Sequence, residues 1–142
     1  MLLSKSSIYG LRATLYISSL KSDEFVTVKQ ISKELDISFH FLAKILQSLT
    51  QHGILKSFRG PNGGIALAKP ATEIRLNEVL NAIDGPTMFD ECVMGLPGCG
   101  HERPCPLHDQ WAVAQKQIRE LFENTTLAEQ AERIDELDLR LK

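Results

Sequence analysis

Along most of this 142-residue chain the apolar positions recur every three or four residues, the spacing of helices that bury one face. Ile8, Leu11, Leu15 and Ile17 mark a first amphipathic helix over Ser7 to Leu20. Thr27 stands three residues before Gln30, the spacing of a capping box, and opens a short helix with Val28, Ile31 and Leu35 on one face. Asp36-Ile37-Ser38 reads as a tight turn, with Ser38 placed as N-cap of the next helix. In that helix Leu42, Ile45, Leu46 and Leu49 form the inward stripe, Phe39 is expected in the core, and Gly53 ends the helix as a left-handed residue. The period then changes. Two short strand-like runs, 54–59 and 65–68, flank the turn Gly60-Pro61-Asn62-Gly63-Gly64, which signals a hairpin. Leu76, Val79, Leu80 and Ile83 form another helix, stopped by Gly85-Pro86.

Helix, short helix, tight turn, helix and hairpin is the order of a winged helix-turn-helix. Residues 86–106 break the periodicity, holding four of the six prolines, three of the nine glycines and all three cysteines. An irregular loop of roughly 20 residues is uncommon in a compact domain and usually functional. After it, Leu107, Trp111, Ala114, Ile118, Leu121 and Phe122 mark a long helix whose apolar face is wide for one small domain to cover. A dimer helix is expected there. Thr126 and Glu129 repeat the capping-box spacing and open a last short helix. The predicted fold is therefore mostly α with a small β-hairpin wing. Its expected organisation is a DNA-binding winged helix over 1–85, a cysteine-rich loop over 86–106, and a dimerisation helix with a short C-terminal helix over 107–142.

Charge sharpens the picture. The chain carries a formal net charge of −2, but residues 1–76 sum to +5 and residues 77–142 to −7. Lys21, Asp23 and Glu24 enter the first of these sums. A basic half facing a polyanion and an acidic half facing away fit such an asymmetry. With 43% hydrophobic and 24% charged residues the composition is that of an ordinary folded domain, which excludes wholesale disorder and a disulfide scaffold. No apolar run approaches the ~18–20 residues of a membrane span. The opening Met-Leu-Leu-Ser-Lys lacks the form of a signal peptide, so a cytoplasmic protein without membrane partners is expected. Neither a phosphate-loop motif, a dinucleotide fingerprint nor a nucleophile–base pattern is present, so an enzyme is not expected.

Two groups of residues carry candidate chemistry. The second helix of a helix-turn-helix enters the major groove with its N-terminal residues on base edges. Here those outward positions are Ser38, Phe39, His40, Phe41 and Lys44, although Phe39 or Phe41 can equally belong to the core, the reading preferred for Phe39. Ser38 offers a hydroxyl and a helix N-terminus to phosphate. His40 and Lys44, four apart, can donate to guanine O6 and N7, and Phe41 can press on a thymine methyl. In the wing, Arg59 suits a narrow minor groove, and Gly60 and Pro61 shape a backbone that approaches DNA closely. The second group is Cys92, Cys99 and Cys105, with His108 three residues on. Clustered cysteines of this kind read as metal or redox ligands rather than as a disulfide framework. Three thiolates and an imidazole satisfy either a tetrahedral zinc or an iron–sulfur cluster. Zinc sites favour cysteines two to four apart, whereas the gaps here hold six and five residues, arcs that wrap a larger object. His101 competes with His108 for the fourth position.

Taken together, these pieces resemble, nearly end to end, the Rrf-two superfamily of winged-helix transcription regulators, which includes iron–sulfur regulators of the IscR, NsrR and RirA types. The matching residues are Tyr9 with Leu11-Arg12-Ala13, Ile37 to Leu42, Ile45-Leu46 with Leu49, the wing 59–64, and Glu78-Val79-Leu80. Cys92, Cys99, Cys105 and Thr126-Leu127 complete the set. The resemblance implies a homodimer that binds pseudo-palindromic double-stranded DNA and changes that binding with the state of a cluster. The Cys105-Pro-Leu-His108 run is similar to IscR, which implies a 2Fe–2S cluster. The 4Fe–4S mode of NsrR places a carboxylate on the first helix where Ile8, which cannot ligate, stands here. The positions that read bases in IscR as Ser, Tyr, Glu and Gln are His40, Phe41, Ala43 and Lys44, so its operator does not carry over. The competing expectation keeps the DNA binding and gives the cysteines to zinc or to thiol redox switching.

Overall fold

In the computed structural model, which describes residues 2–20 and 25–142, helices and one hairpin follow in the predicted order. They are α1 (Lys5–Ser19), α2 (Val28–Leu35), α3 (Phe39–Gln51), β1 (Leu55–Phe58), β2 (Gly64–Leu67), α4 (Leu76–Asp84), α5 (His108–Glu123) and α6 (Leu127–Leu137). Lys21, Asp23 and Glu24 of the charge count lie outside the described residues. Both capping boxes form. The Gln30 amide donates to Thr27 Oγ1 at 3.1 Å and the Thr27 amide to Gln30 Oε1 at 2.9 Å. Thr126 and Glu129 exchange the same pair of bonds. Asp36 closes α2 in the left-handed conformation, φ 52°, which turns the chain sharply into α3.

α1 lies at the centre, against α2, α3, α4, α6 and β2. Its deepest face is Gly10, Ala13, Thr14 and Ile17, a correction to the stripe of Ile8, Leu11, Leu15 and Ile17 read from apolar spacing. A helix surrounded on several sides needs small side chains where its neighbours come closest, while Leu11 and Leu15 fill the flanks, half-buried. A Cβ on Gly10 would meet Ile83 Cδ1 of α4 at 2.2 Å. The buried Thr14 hydroxyl is satisfied by the Gly10 carbonyl at 2.9 Å.

β1 and β2 pair antiparallel, Leu55 opposite Leu67, and Val26 bridges to Ile65 on the outer side of β2. The hairpin is thus fastened to the start of α2. Gly64 permits this, because a Cβ there would stand 2.5 Å from the Val26 carbonyl oxygen.

α6 returns to the winged helix. The Leu127 amide donates to the Ile74 carbonyl and the Leu76 amide to the Thr125 carbonyl, both at 2.9 Å. Leu127 has no exposed surface, and the Arg12 guanidinium reaches the carbonyls of both Leu35 and Leu141. α5 differs. Its only buried residue is His108, and it rests on α4 and on a one-turn 3-10 helix, Met88–Asp90, inside the irregular loop. Val113 and Leu121 stand about 60% exposed on it, an apolar face that this chain leaves uncovered. No helix among the described residues is long and apolar enough to cross a membrane.

Since Leu127 joins α6 to the core shared with α1, Leu127→Ala should cost ~2–5 kcal/mol by loss of burial and the cavity left behind. Urea unfolding followed by far-UV circular dichroism measures this. A loss under ~1 kcal/mol would show that α6 is not part of the winged-helix core.

Candidate nucleic-acid interface and metal centre

Ile45, Leu42, Leu46 and Leu49 anchor α3 in the core, which turns His40, Lys44, Gln47 and Gln51 outward as one exposed stripe. Ser38 stands at the N-cap position, exposed, and its hydroxyl makes no capping bond. The two phenylalanines exchange their expected surroundings. Phe41 is half-buried with its ring edge-on to Tyr9 of α1, centroids 5.5 Å apart. Phe39, expected in the core, is 46% exposed. As the first residue of α3 it has no preceding helical turn beneath it, and its side chain leans beyond the helix end.

Arg59, Gly60 and Pro61 are exposed at the wing tip, where Gly60 takes φ 120° and the Gly63 amide closes the turn onto its carbonyl at 3.0 Å. Between α3 and the hairpin runs a groove of about 270 Å³ lined by Ala43, Gln47, Thr50 and Ser57 among others. α3 and the hairpin thus flank one concave strip of surface.

The cysteine loop sets its three thiols near one another and brings Cys99 beside His108. Cys92 is buried, and Cys99 and Cys105 are half-buried. The Cys99 sulfur lies 3.7 Å from His108 Nδ1. Amide donation from Leu96 and Met94 favours the Cys92 thiolate and lowers its pKa, with help from the Cys105 and Cys99 thiols. Desolvation raises Cys99 instead, and the neighbouring Cys92 and Cys105 sulfurs push it the same way. His108 is 7% exposed, and its Nε2 is buried without a hydrogen-bond partner among the described residues. His101 stays exposed at the rim, its ring edge-on to His108 at 5.0 Å. A cleft of about 550 Å³ opens between Cys92 and Cys99 along the 95–98 turn. Among the described residues no group of three or more His, Cys, Asp and Glu side chains stands ready to hold a single metal ion.

The family model for Rrf2, described as an iron-dependent transcriptional regulator, matches residues 3–133. The chain belongs to the Rrf2 family. It is 30% identical over 139 residues to the HTH-type transcriptional regulator IscR of Yersinia pseudotuberculosis, covering 98% of this chain and 84% of that one. Among solved structures it is similar to CymR, the global cysteine regulator of B. subtilis, with a TM-score of 0.77 and 22% identity over 92% of this chain and 95% of that one. IscR of T. potens gives a TM-score of 0.76 and 22% identity over 97% and 91%. This Rrf2 protein is accordingly a DNA-binding transcription regulator of winged-helix fold and not an enzyme.

Sequence reasoning missed two sets of residues in the Rrf2 chain. Gln47 and Gln51 continue the His40–Lys44 stripe, and extending the helical step by one turn finds them. The second set holds the cysteine loop in place. From one face of α5, Trp111 Nε1 donates to the Glu91 carbonyl at 3.1 Å and Gln115 to the same oxygen at 3.3 Å. Arg119 reaches the Phe89 carbonyl at 3.0 Å and pairs with Asp90. Their spacing of four is legible as a helix face, but the partners are backbone carbonyls of a loop without periodicity, and no sequence pattern marks those.

Trp111→Phe removes one donor to Glu91 and keeps the ring. Loss of a hydrogen bond of ordinary net worth, ~0.5–1.5 kcal/mol, should speed amide exchange in 89–96 while the global melting midpoint moves little. Unchanged exchange in that segment would mean that Trp111 does not hold the loop.

Proposed function

We propose that this Rrf2 regulator senses its signal through an iron–sulfur cluster held by Cys92, Cys99, Cys105 and His108, with 2Fe–2S favoured over 4Fe–4S. The observation that carries the reading is three free thiols held near one another in one loop, with Cys99 3.7 Å from a buried imidazole whose Nε2 has no hydrogen-bond partner among the described residues. That donor set fits such a cluster, and the long arcs between the cysteines favour it over a lone zinc ion. A bound cluster would supply a redox- and ligand-sensitive group at the start of α5. His108 is the first residue of that helix, so the site and the helix share a backbone.

The remaining roles follow from placement. The protein works in the cytoplasm as a homodimer on a pseudo-palindromic operator, with α5 pairing two copies through the face that carries Val113 and Leu121. Residues 1–85 bind DNA, 86–106 hold the cluster, and α5 within 107–142 forms the dimer. His40 and Lys44 read base edges, Ser38 meets a phosphate, and Arg59, Gly60 and Pro61 follow the backbone or minor groove. Phe41 braces α3 against Tyr9 and offers only its half-exposed edge. A second reading, thiol redox sensing without a cluster, rests on the same three free cysteines held near one another in one loop.

Anaerobic purification with iron and acid-labile sulfide counts separates the two. The cluster reading predicts a coloured protein with both elements present. Cys92→Ala, Cys99→Ala and Cys105→Ala should each lose them while helical content survives, and His108→Ala should leave a cluster more readily lost to a chelator. A colourless protein, or wild-type iron in all three cysteine variants, would contradict the reading.

For DNA, Lys44→Ala should cost ~1–3 kcal/mol and relax sequence preference at one position. Arg59→Ala should weaken all sequences alike and shallow the salt slope by ~0.9. If Lys44→Ala changed neither affinity nor preference, α3 would not be reading bases through that side chain.

A further inference from the structure

Most of the winged helix hides its large apolar side chains. Among the described residues up to 85, only Leu2, Phe39 and Phe58 expose such a side chain broadly. Phe58 ends β1 beside Arg59 at the wing, and Phe39 opens α3. Apart from the chain's start, the exposed large apolar surface of this half therefore lies on the two elements that flank the concave strip. Phe39 is also held in place. Its ring meets His40 edge to face, centroids 5.5 Å apart and planes at 87°, the arrangement aromatic quadrupoles favour. His40 begins the outward stripe, so an apolar ring and a hydrogen-bond donor stand side by side on the first turn. Phe41, the other aromatic of that turn, is committed to Tyr9.

In the major groove the apolar feature that distinguishes one base from the others is the C5-methyl of thymine. We infer that Phe39 reads a thymine methyl in each half-site, while His40 beside it addresses a neighbouring base edge. Phe39 is thereby a specificity-determining residue of this regulator. The ring needs no hydrogen-bond partner, and pressing it on a methyl removes from water apolar surface that the free protein leaves exposed. The inference rests on the assignment of α3 as the recognition helix.

The test uses full-length protein and duplexes recovered by selection from a random pool. Each thymine of a recovered site is replaced in turn by uracil, which removes only the methyl group. One position per half-site should lose affinity about fourfold on this change, the worth of one buried methyl-sized group. Phe39→Ala should bind thymine and uracil duplexes equally at that position, and Phe39→Leu should retain part of the discrimination. Wild-type protein indifferent to uracil at every position would overturn the inference without any variant, as would Phe39→Ala that keeps the wild-type ratio. In both cases intact sequence-specific binding leaves the recognition-helix assignment standing. Recovery of no preferred duplex would overturn that assignment, and the inference with it.

Discussion

A loop of proline and glycine has no ladder of its own, so the sulfur site depends on how that loop is tied to α5. Phe89 supplies the first tie, buried and stacked on Phe122 of α5 with centroids 5.7 Å apart. Phe122 packs in turn against the main core. Trp111, Gln115 and Arg119 add the second tie by donating to the carbonyls of Phe89 and Glu91. Cys92, the next residue, is thereby fixed relative to α5, and His108 is fixed because it is part of α5. Cys99 and Cys105 complete the site from the later part of the loop, where Gly98 before Cys99 takes φ 70° and the Cys105 carbonyl accepts from the His108 amide at 3.0 Å.

The same ties connect the site to α3 through packed elements. α5 rests on α4, and α4 rests on both α1 and α3. The contacts are close: Ser48 Oγ of α3 donates to the Ala82 carbonyl at 2.8 Å, and Ser7 of α1 donates to Asp84 at 2.7 Å, two residues before the loop begins at Pro86. Gly10 lets Ile83 settle against α1 where any side chain would intrude. α6 closes the far side of α1. Few of these interfaces can shift alone, because close-packed interiors transmit displacement rather than absorb it.

Much of this was legible in the sequence, and the exceptions share a cause. Thr27–Gln30 and Thr126–Glu129 declared helix starts because a capping box is local, and the hairpin followed from the glycine turn. The cysteines were legible as a site because little else accounts for three thiols in so irregular a stretch. What escaped was set by neighbours distant in the chain. Gly10, Ala13 and Thr14 look unremarkable until α4 and α6 are placed around them. Phe39 and Phe41 differ by two positions, and only the presence of Tyr9 beside one of them decides which is covered. The Trp111–Gln115–Arg119 face is invisible from sequence because its acceptors are main-chain carbonyls.

We propose that the state of the sulfur site sets the affinity of α3 and the wing for DNA. The most direct measurement is the affinity of cluster-loaded and cluster-stripped protein for one selected operator, taken anaerobically at a single salt concentration. Coupling of ordinary size predicts a difference of ~5–150-fold between the two forms. Equal affinity, with both forms equally folded and equally dimeric, would make the site structural and contradict the account.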